Sequence, residues 1–498
     1  MILAQFNHCR RALHTCFHRV TTAFCTILLY GIAHVTAVAS PSVMVVDIIP
    51  ESLSGETNTN SEPDLAVNPA DPSQIAASAY LPPPMGGNMS SILISTDGGM
   101  TWRCFSTLPI DKISCDVTLG FGGLFNVLYV AALNENWDFL ICRTSELAQL
   151  RMDDSPLRQL QSGIDQPYIA VATINERDRV FVGANDWNGP TGRTAAVVRS
   201  LDGRANSPNS NFTFVPIEFA APAALRDGAE IRPAISADGK KIYGVFNRLI
   251  SINGNKRVGD VILVRDDEGG NSGAASFKAL HDENGVAGFP VVKARTFLFD
   301  ADRFPALLGR DRLGGDLAIA VDPQNAETVY LVWGQLLEDQ PALNVTRSTN
   351  GGQQWSGILH TIRNAKNPGL AINNKGTLAF LYQQVVMDPG GDETWLTKVE
   401  LTKDDFQNVK SLTLSKFPAA ELDSIKGQPR LGDYLRLTAV GDAFYGIFSA
   451  SNVPDQSRFP CGVTFQRVKD FATKKLLDQD GKEVLSSVDP FFFKVTEE

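Results

Sequence analysis

Histidine and cysteine are scarce in this chain of 498 residues, which holds six His and seven Cys. No H-E-x-x-H pair, P-loop or G-x-S-x-G turn occurs, so the zinc-protease, nucleotide and α/β-hydrolase signatures are excluded. His281 and His360 have no metal partner at ligand spacing. Long apolar runs are few. The run 21–38 follows Arg10, Arg11 and Arg19 with no acidic residue, and Ala37-Val38-Ala39 before Ser40 fits a cleavage site. Residues 1–39 therefore read as a signal peptide, with a signal-anchor helix as the alternative. No later stretch is long and apolar enough to span a membrane, so the mature chain is expected outside the cell or in a periplasm. Losing three arginines moves the formal charge from −10 to −13, which argues against a nucleic-acid partner. Cys104, Cys115, Cys142 and Cys461 remain, and the short loop between them makes Cys104–Cys115 the favoured disulfide. Asn88, Asn211 and Asn344 begin glycosylation sequons. Two local absences matter below: residues 61–94 contain no Arg, and 80–91 no carboxylate.

What the chain does have is a turn on which the rest can be ordered. Ser95-Thr96-Asp97-Gly98-Gly99-Met100-Thr101-Trp102 follows the apolar run Ile92-Leu93-Ile94. Asp97-Gly98 is a hairpin signal, and the two glycines accept positive φ without steric cost. The Asp97 carboxylate can accept from the turn's own N–H groups, Ser95 and Thr101 can tie down the remaining polar atoms, and Trp102 anchors the return strand. A second copy is Ser348-Thr349-Asn350-Gly351-Gly352-Gln353-Gln354-Trp355, and Ser200-Leu201-Asp202-Gly203 is a decayed third. Such a turn is structural. Losing Asp97 should destabilise the fold without touching a binding site.

A second motif sets the period: an acidic or Pro residue, an alternating apolar strand, a turn, and another apolar strand. Copies start at Glu62, Cys115, Asp165, Glu230, Gly315, Pro368 and Gly432. Spacing of roughly 50 to 80 residues suits four-stranded propeller blades. The expected fold is therefore all-β, a single β-propeller of four-stranded antiparallel blades. Seven blades are expected, or six if the Pro368 copy, which lacks an acidic start, is discounted. Blades bury both faces against neighbours, so 40–468 should be one domain. Val43 to Ile48 is placed to pair with the last blade and close the ring. Residues 469–498 read as an extension docked on the propeller, through Phe491-Phe492-Phe493. Asp266 to Arg312 reads as an insertion, with a short helix at Asp300 to Leu308.

First strands of propeller blades line the central channel, and here their starts carry Asp64, Asp116, Asp165, Glu230, Asp316 and Asp433. The ring admits three readings: structural carboxylates at strand starts, a glycosidase acid and base, or a Ca²⁺ site of hard oxygen ligands. No other cofactor is implied.

The S-x-D-x-G-x-T-W turn resembles the Asp-box of sialidases and related propeller proteins, carried by Ser95, Asp97, Gly99, Thr101 and Trp102 and again by Ser348, Asn350, Gly352 and Trp355. The resemblance extends further. Glu230, followed by Ser236-Ala237-Asp238-Gly239 and Arg248, looks like the family's stretch with the catalytic Glu and a substrate-binding Arg. Tyr434 looks like its catalytic Tyr. By that resemblance Glu230 polarises Tyr434, within about 2.6–3.2 Å, and Tyr434 attacks the anomeric carbon. Arg248, with Arg232 or Arg430, clamps the sugar carboxylate. The family's early Arg-Ile-Pro motif and general-acid Asp find no counterpart in 61–94 and 80–91. Two functions follow. One is a secreted, monomeric, sialidase-like glycoside hydrolase acting on an extracellular glycan or glycoconjugate. The alternative is a non-catalytic propeller binding a glycan or protein, with a structural or Ca²⁺-bound acidic mouth.

Overall fold

The structure is a computed structural model that describes residues 41–79, 92–105, 113–124, 126–134, 138–147, 158–160, 163–186, 194–205, 212–220, 231–254, 256–298, 316–425 and 430–497. Residues 42–497 form one compact unit. Among the described residues, six sheets have four antiparallel strands each, in chain order, every strand paired with the next. Their innermost strands are Asp64–Val67, Ile113–Phe121, Ile164–Ile174, Arg232–Ile235, Leu317–Asp322 and Ala365–Ile372. A seventh sheet has five strands, in the order Arg436–Val440, Ala443–Ser451, Val488–Thr496, Ser42–Asp47 and Thr464–Phe465. Each innermost strand lies beside that of the next sheet, and the seventh returns to the first. The arrangement is a β-propeller.

The sequence explains the stacking. Second strands such as Leu128–Asn134 are apolar at nearly every position, because both faces of a sheet are covered by neighbours. Burying each Val, Leu or Phe of these interfaces contributes about 1.5–3 kcal/mol. One interface joins Val130, Leu128 and Val117 of the second sheet to Ile92 and Ile94 of the first. Another joins Phe492, Tyr445 and Val46 of the seventh sheet to Leu65, Ile75 and Trp102 of the first.

The turn from third to fourth strand has one design in several sheets. In the first sheet Ser95 Oγ accepts from Gly99 N at 2.9 Å, and Asp97 Oδ1 accepts from Ser95 Oγ at 2.8 Å and Thr101 N at 2.9 Å. Burial raises the Asp97 carboxyl, but the bonds from Thr101 and Ser95 outweigh it and hold it below the usual range. Trp102 Nε1 donates to Gly99 O at 2.9 Å. In the fifth sheet Ser348, Asn350, Gly352, Gln354 and Trp355 repeat these contacts. Gly98 and Gly99 (φ 78° and 94°) match Gly351 and Gly352 (φ 69° and 89°). A Cβ on Gly99 would stand 2.1 Å from a ring carbon of Phe492, and one on Gly352 2.4 Å from Leu263, so each turn's backbone packs directly on the preceding sheet.

Several sequence expectations change. Residues 469–498 are not an appendage: Val488–Thr496 is the third strand of the seventh sheet and pairs on its other side with Ser42–Asp47. Its alternate faces are both packed, with Phe492 at 5.4 Å from Trp102 and Phe491 at 5.7 Å from Phe448, ring to ring. A small sheet, Lys469–Asp470, Lys475–Leu477 and Glu483–Val484, occupies the connection before it. The stretch read as an insertion supplies Phe289–Leu298, the fourth strand of the fourth sheet. The helix expected at 300–308, the leader 1–39, and the sequon residues Asn88 and Asn211 lie outside the described residues. Asn344 is fully buried within Gln340–Ser348 and accepts from Thr361 Oγ1 at 2.8 Å, so the folded chain has no room for a glycan there. Cys104 lies opposite Leu93, and burial pushes its thiol up. The side chain of Cys115, and with it the expected Cys104–Cys115 pairing, lies outside the described residues.

Candidate functional site

The starts of the innermost strands are irregular, and that irregularity builds the site. Glu62, Gln166 and Asn367 have φ of 54°, 52° and 53°. Each directly precedes a proline, which disfavours such a conformation in the residue before it. Strained backbone of this kind persists only where its surroundings enforce it, and it concentrates at functional sites. In the third sheet the pairing slips between Asp165 and Tyr168. In the seventh, the strand starts only at Arg436. Gly432 (φ 90°) ahead of it lies so close to the first sheet that an added Cβ would meet Glu62 N at 2.4 Å. Its carbonyl accepts from Asn367 Nδ2 at 3.0 Å. Strand alternation therefore does not govern Asp433 and Tyr434, and both line one cavity.

That cavity, about 230 Å³ counting its open part, is lined by Tyr168, Arg232, Asp316, Asp433 and Tyr434, together with Leu317, Pro368 and Leu435. Tyr434 Oη donates to Asp116 Oδ1 at 2.8 Å, linking the seventh sheet to the second. Arg436, two residues on, donates to Ile169 O at 2.8 Å and lies 3.7 Å from Asp64 Oδ2. Its guanidinium carbon is 4.1 Å from the Tyr168 ring centroid, and that of Arg232 is 4.5 Å from it. A cation held against an aromatic face gains about 0.5–2 kcal/mol, more when desolvated. Burial opposes the Arg436 charge, but Tyr168 and Asp64 outweigh it and hold the group firmly protonated. Burial also pushes the Asp64 carboxyl up, against Arg436 and hydrogen bonds from Leu119 N at 3.2 Å and Thr118 Oγ1 at 3.1 Å.

The remaining carboxylates have contacts of their own. Asp165, half-buried, accepts from the adjacent Gln166 N at 3.0 Å. Asp316 is buried and accepts from Asn367 N at 3.4 Å. Arg248 belongs to a different cluster: Glu218 takes it in a bidentate pair at 2.9 and 2.7 Å. Arg430 donates to Ile425 O at 3.4 Å. Glu230 lies outside the described residues. The structure thus brings Tyr434 together with Asp116, and Arg232 and Arg436 together at Tyr168. Among the described residues no three His, Cys, Asp or Glu side chains converge to hold a metal.

Sequence reasoning passed over Tyr168 and Arg436. The signal for Arg436 was its place two residues after Tyr434 in a channel-lining strand. Tyr168 occupies the start of its repeat copy, after Pro167. A third complete turn, Thr402 to Asn408, was also missed. There Thr402 Oγ1 accepts from Phe406 N at 3.1 Å, and Asp404 Oδ1 from Asn408 N at 2.9 Å. Its left-handed positions hold Asp405 and Phe406 (φ 56° and 66°) in place of glycines. The Phe406 ring stacks 4.5 Å from His360, whose Nε2 lies 2.9 Å from Glu400 Oε2. That histidine is a packing residue between the fifth and sixth sheets.

No known protein family matches the chain, and neither does any curated protein. Solved structures do resemble it. Sqt1 of Chaetomium thermophilum, bound to the N-terminus of ribosomal protein L10, is 12% identical, with a TM-score of 0.41 over 90% of this chain and 100% of that one. The GH74 enzyme of Niastella koreensis is 11% identical, with a TM-score of 0.35 over 82% and 76% of the two chains. An ulvan lyase of polysaccharide lyase family PL25 is 10% identical, with a TM-score of 0.38 over 72% and 81%. Their chemistries diverge, and likeness at these scores does not choose among them. No helix among the described residues is long and apolar enough to cross a membrane.

Proposed function

We propose that this propeller is a secreted carbohydrate-active protein of sialidase-like type, a glycoside hydrolase that takes an anionic sugar of an extracellular glycan at the mouth formed by the inner strand starts. One observation carries the reading: Tyr434 Oη sits 2.8 Å from Asp116 Oδ1 in a cavity that Arg232 also lines. A phenol is a weak nucleophile until a base takes its proton, and Asp116 is within reach to do so. A neutral phenol also approaches a negatively charged sugar without the repulsion a carboxylate would meet.

In this mechanism Tyr434 Oη attacks the anomeric carbon as its proton passes to Asp116. The bond to the leaving oxygen breaks, and that oxygen takes a proton from an acid for which Asp433 and Asp316, lining the same cavity, are the candidates. Water then attacks the anomeric carbon and gives its proton to that carboxylate. The glycosyl–tyrosine bond breaks, and Tyr434 recovers its proton from Asp116.

A non-catalytic, glycan-binding mouth is the second reading. It is favoured by the Arg248–Glu218 pair, which leaves that arginine engaged elsewhere, and by a cavity whose enclosed room, about 10 Å³, is enough for about one water and far below the roughly 300–1,000 Å³ usual for small-molecule sites. Turnover of aryl glycosides of anionic and neutral sugars separates the two. The hydrolase reading expects Tyr434→Phe to lower the rate at least about 1,000-fold with an unchanged melting temperature, and Asp116→Asn to lower it about 10²–10⁴-fold. Glycan binding without turnover, equal in wild type and Tyr434→Phe, selects the binding reading.

A further inference from the structure

The ring is closed by segments from opposite ends of the chain, and a buried charge cluster sits on the seam. Arg467, wholly buried after the strand Thr464–Phe465, donates to Asp489 Oδ2 at 2.9 Å and Glu56 Oε1 at 3.1 Å, and to the carbonyls of Ser54, at 2.8 Å, and Glu56. Asp489 belongs to Val488–Thr496, and Glu56 follows the short 3₁₀ turn Glu51–Leu53. Asn60 Nδ2 bridges the two carboxylates, at 2.8 Å to Glu56 Oε1 and 3.2 Å to Asp489 Oδ1. Asn58 N donates to Glu56 Oε2 at 2.8 Å. Asp47, the last residue of Ser42–Asp47, is the fourth charged member. Its Oδ1 accepts from Ile49 N at 3.1 Å, while its buried Oδ2 receives no donor. The groups facing the seam are thus Asp47, Glu56 and Asp489 against the single guanidinium of Arg467.

Three ionised carboxylates and one guanidinium would leave a net charge of −2 in a buried space, a costly state. Two protons remove it. Asp489 and Glu56 both accept from Arg467 and Asn60, so they share the one guanidinium, and burial with the neighbouring charge of Asp489 places one of the two protons on Glu56. Asp47, with an oxygen lacking any donor, is suited to carry a proton of its own. We propose that Asp47, Glu56, Asp489 and Arg467 form a pH-responsive clasp: protonation of Asp47 and Glu56 latches the N-terminal strand to the C-terminal one, and their ionisation as pH rises loosens the ring at this seam. Burial first, then the charge of Asp489, pushes Asp47 well above the ordinary range and Glu56 from 4.5 to about 7. Groups raised in the folded state stabilise fully below their unfolded values. That stabilisation is lost as pH climbs through the folded values, for Glu56 between 4.5 and about 7.

The test compares melting temperatures of the full chain from pH 5 to 8.5 for wild type, Asp47→Asn, Glu56→Gln and the double variant, whose neutral amides mimic the protonated acids. The variants should match wild type within about 1 °C at pH 5 and exceed it increasingly toward pH 8.5. Hydrogen exchange on wild type needs no variant. After correction for intrinsic rates, protection of Ser42–Asp47 and Val488–Thr496 should fall about tenfold between pH 6 and 8, with the inner strands of the second to fifth sheets unchanged. Parallel melting profiles at every pH, or a loss of protection spread evenly over all sheets, overturn the clasp.

Discussion

Gly432 decides where Tyr434 points. At φ 90°, with Glu62 N where its Cβ would be, no other residue fits there without moving the first sheet. The irregular backbone that follows brings Tyr434 to Asp116. A Gly before an Asp-Tyr pair is visible in the sequence; the contact with Glu62, some 370 positions earlier, is not. The same limit applies to Arg436, whose value depends on Tyr168 and Asp64 arriving from two other sheets. At the turn, by contrast, the partners are neighbours in sequence, and the residues differ in what their loss leaves behind. Thr101 is exposed, so water replaces the Asp97 carboxylate in Asp97→Ala, which should cost about 1 kcal/mol. Ser95→Ala strands the buried Gly99 N–H and should cost more, about 1–3 kcal/mol. Urea midpoints of the two variants check the order, and neither should change glycan binding.

At the scale of elements, one turn recurs in several sheets where a third strand hands over to a fourth. What repeats is the hydrogen-bond scheme and a pair of left-handed residues rather than the letters. Glycines satisfy that pair in the first, fourth and fifth sheets, where Gly270 N donates to Asp266 Oδ1 at 2.8 Å in place of a serine hydroxyl. In the sixth sheet Asp405 and Phe406 carry the strain. Tyr330 Oη donating to Asp405 at 2.6 Å, Arg347 paired with Asp405 at 2.6 Å, and the Phe406–His360 stack hold them there. A pattern built on Gly-Gly could not reveal this turn, because tertiary contacts replace local conformational preference. Thr402→Val keeps shape and removes the oxygen that accepts from Phe406 N. It should destabilise by about 1–3 kcal/mol, read from chemical denaturation.

For the whole molecule, the all-β propeller was legible because its signal is repeated: apolar strands and turns, most with an acidic start, recur along the chain. The closure was legible only at its N-terminal end. Val488–Thr496 was set apart because the small sheet before it interrupts the rhythm, although its Phe491-Phe492-Phe493 run already showed that it is buried. The mouth was least legible. Its residues come from sheets far apart in sequence, through backbone irregularities before prolines and at a glycine, and no periodic pattern encodes those. The proposed mechanism puts covalent chemistry on Tyr434 at this mouth. The most direct measurement is intact-mass and peptide-mass analysis after incubation with an activated glycoside of an anionic sugar bearing fluorine beside the anomeric carbon, which slows breakdown of a glycosyl–enzyme. A one-to-one adduct is expected on the peptide containing Tyr434, and none in Tyr434→Phe. Turnover of the parent glycoside with no adduct, or an adduct on a carboxylate with Tyr434 unmodified, would contradict it.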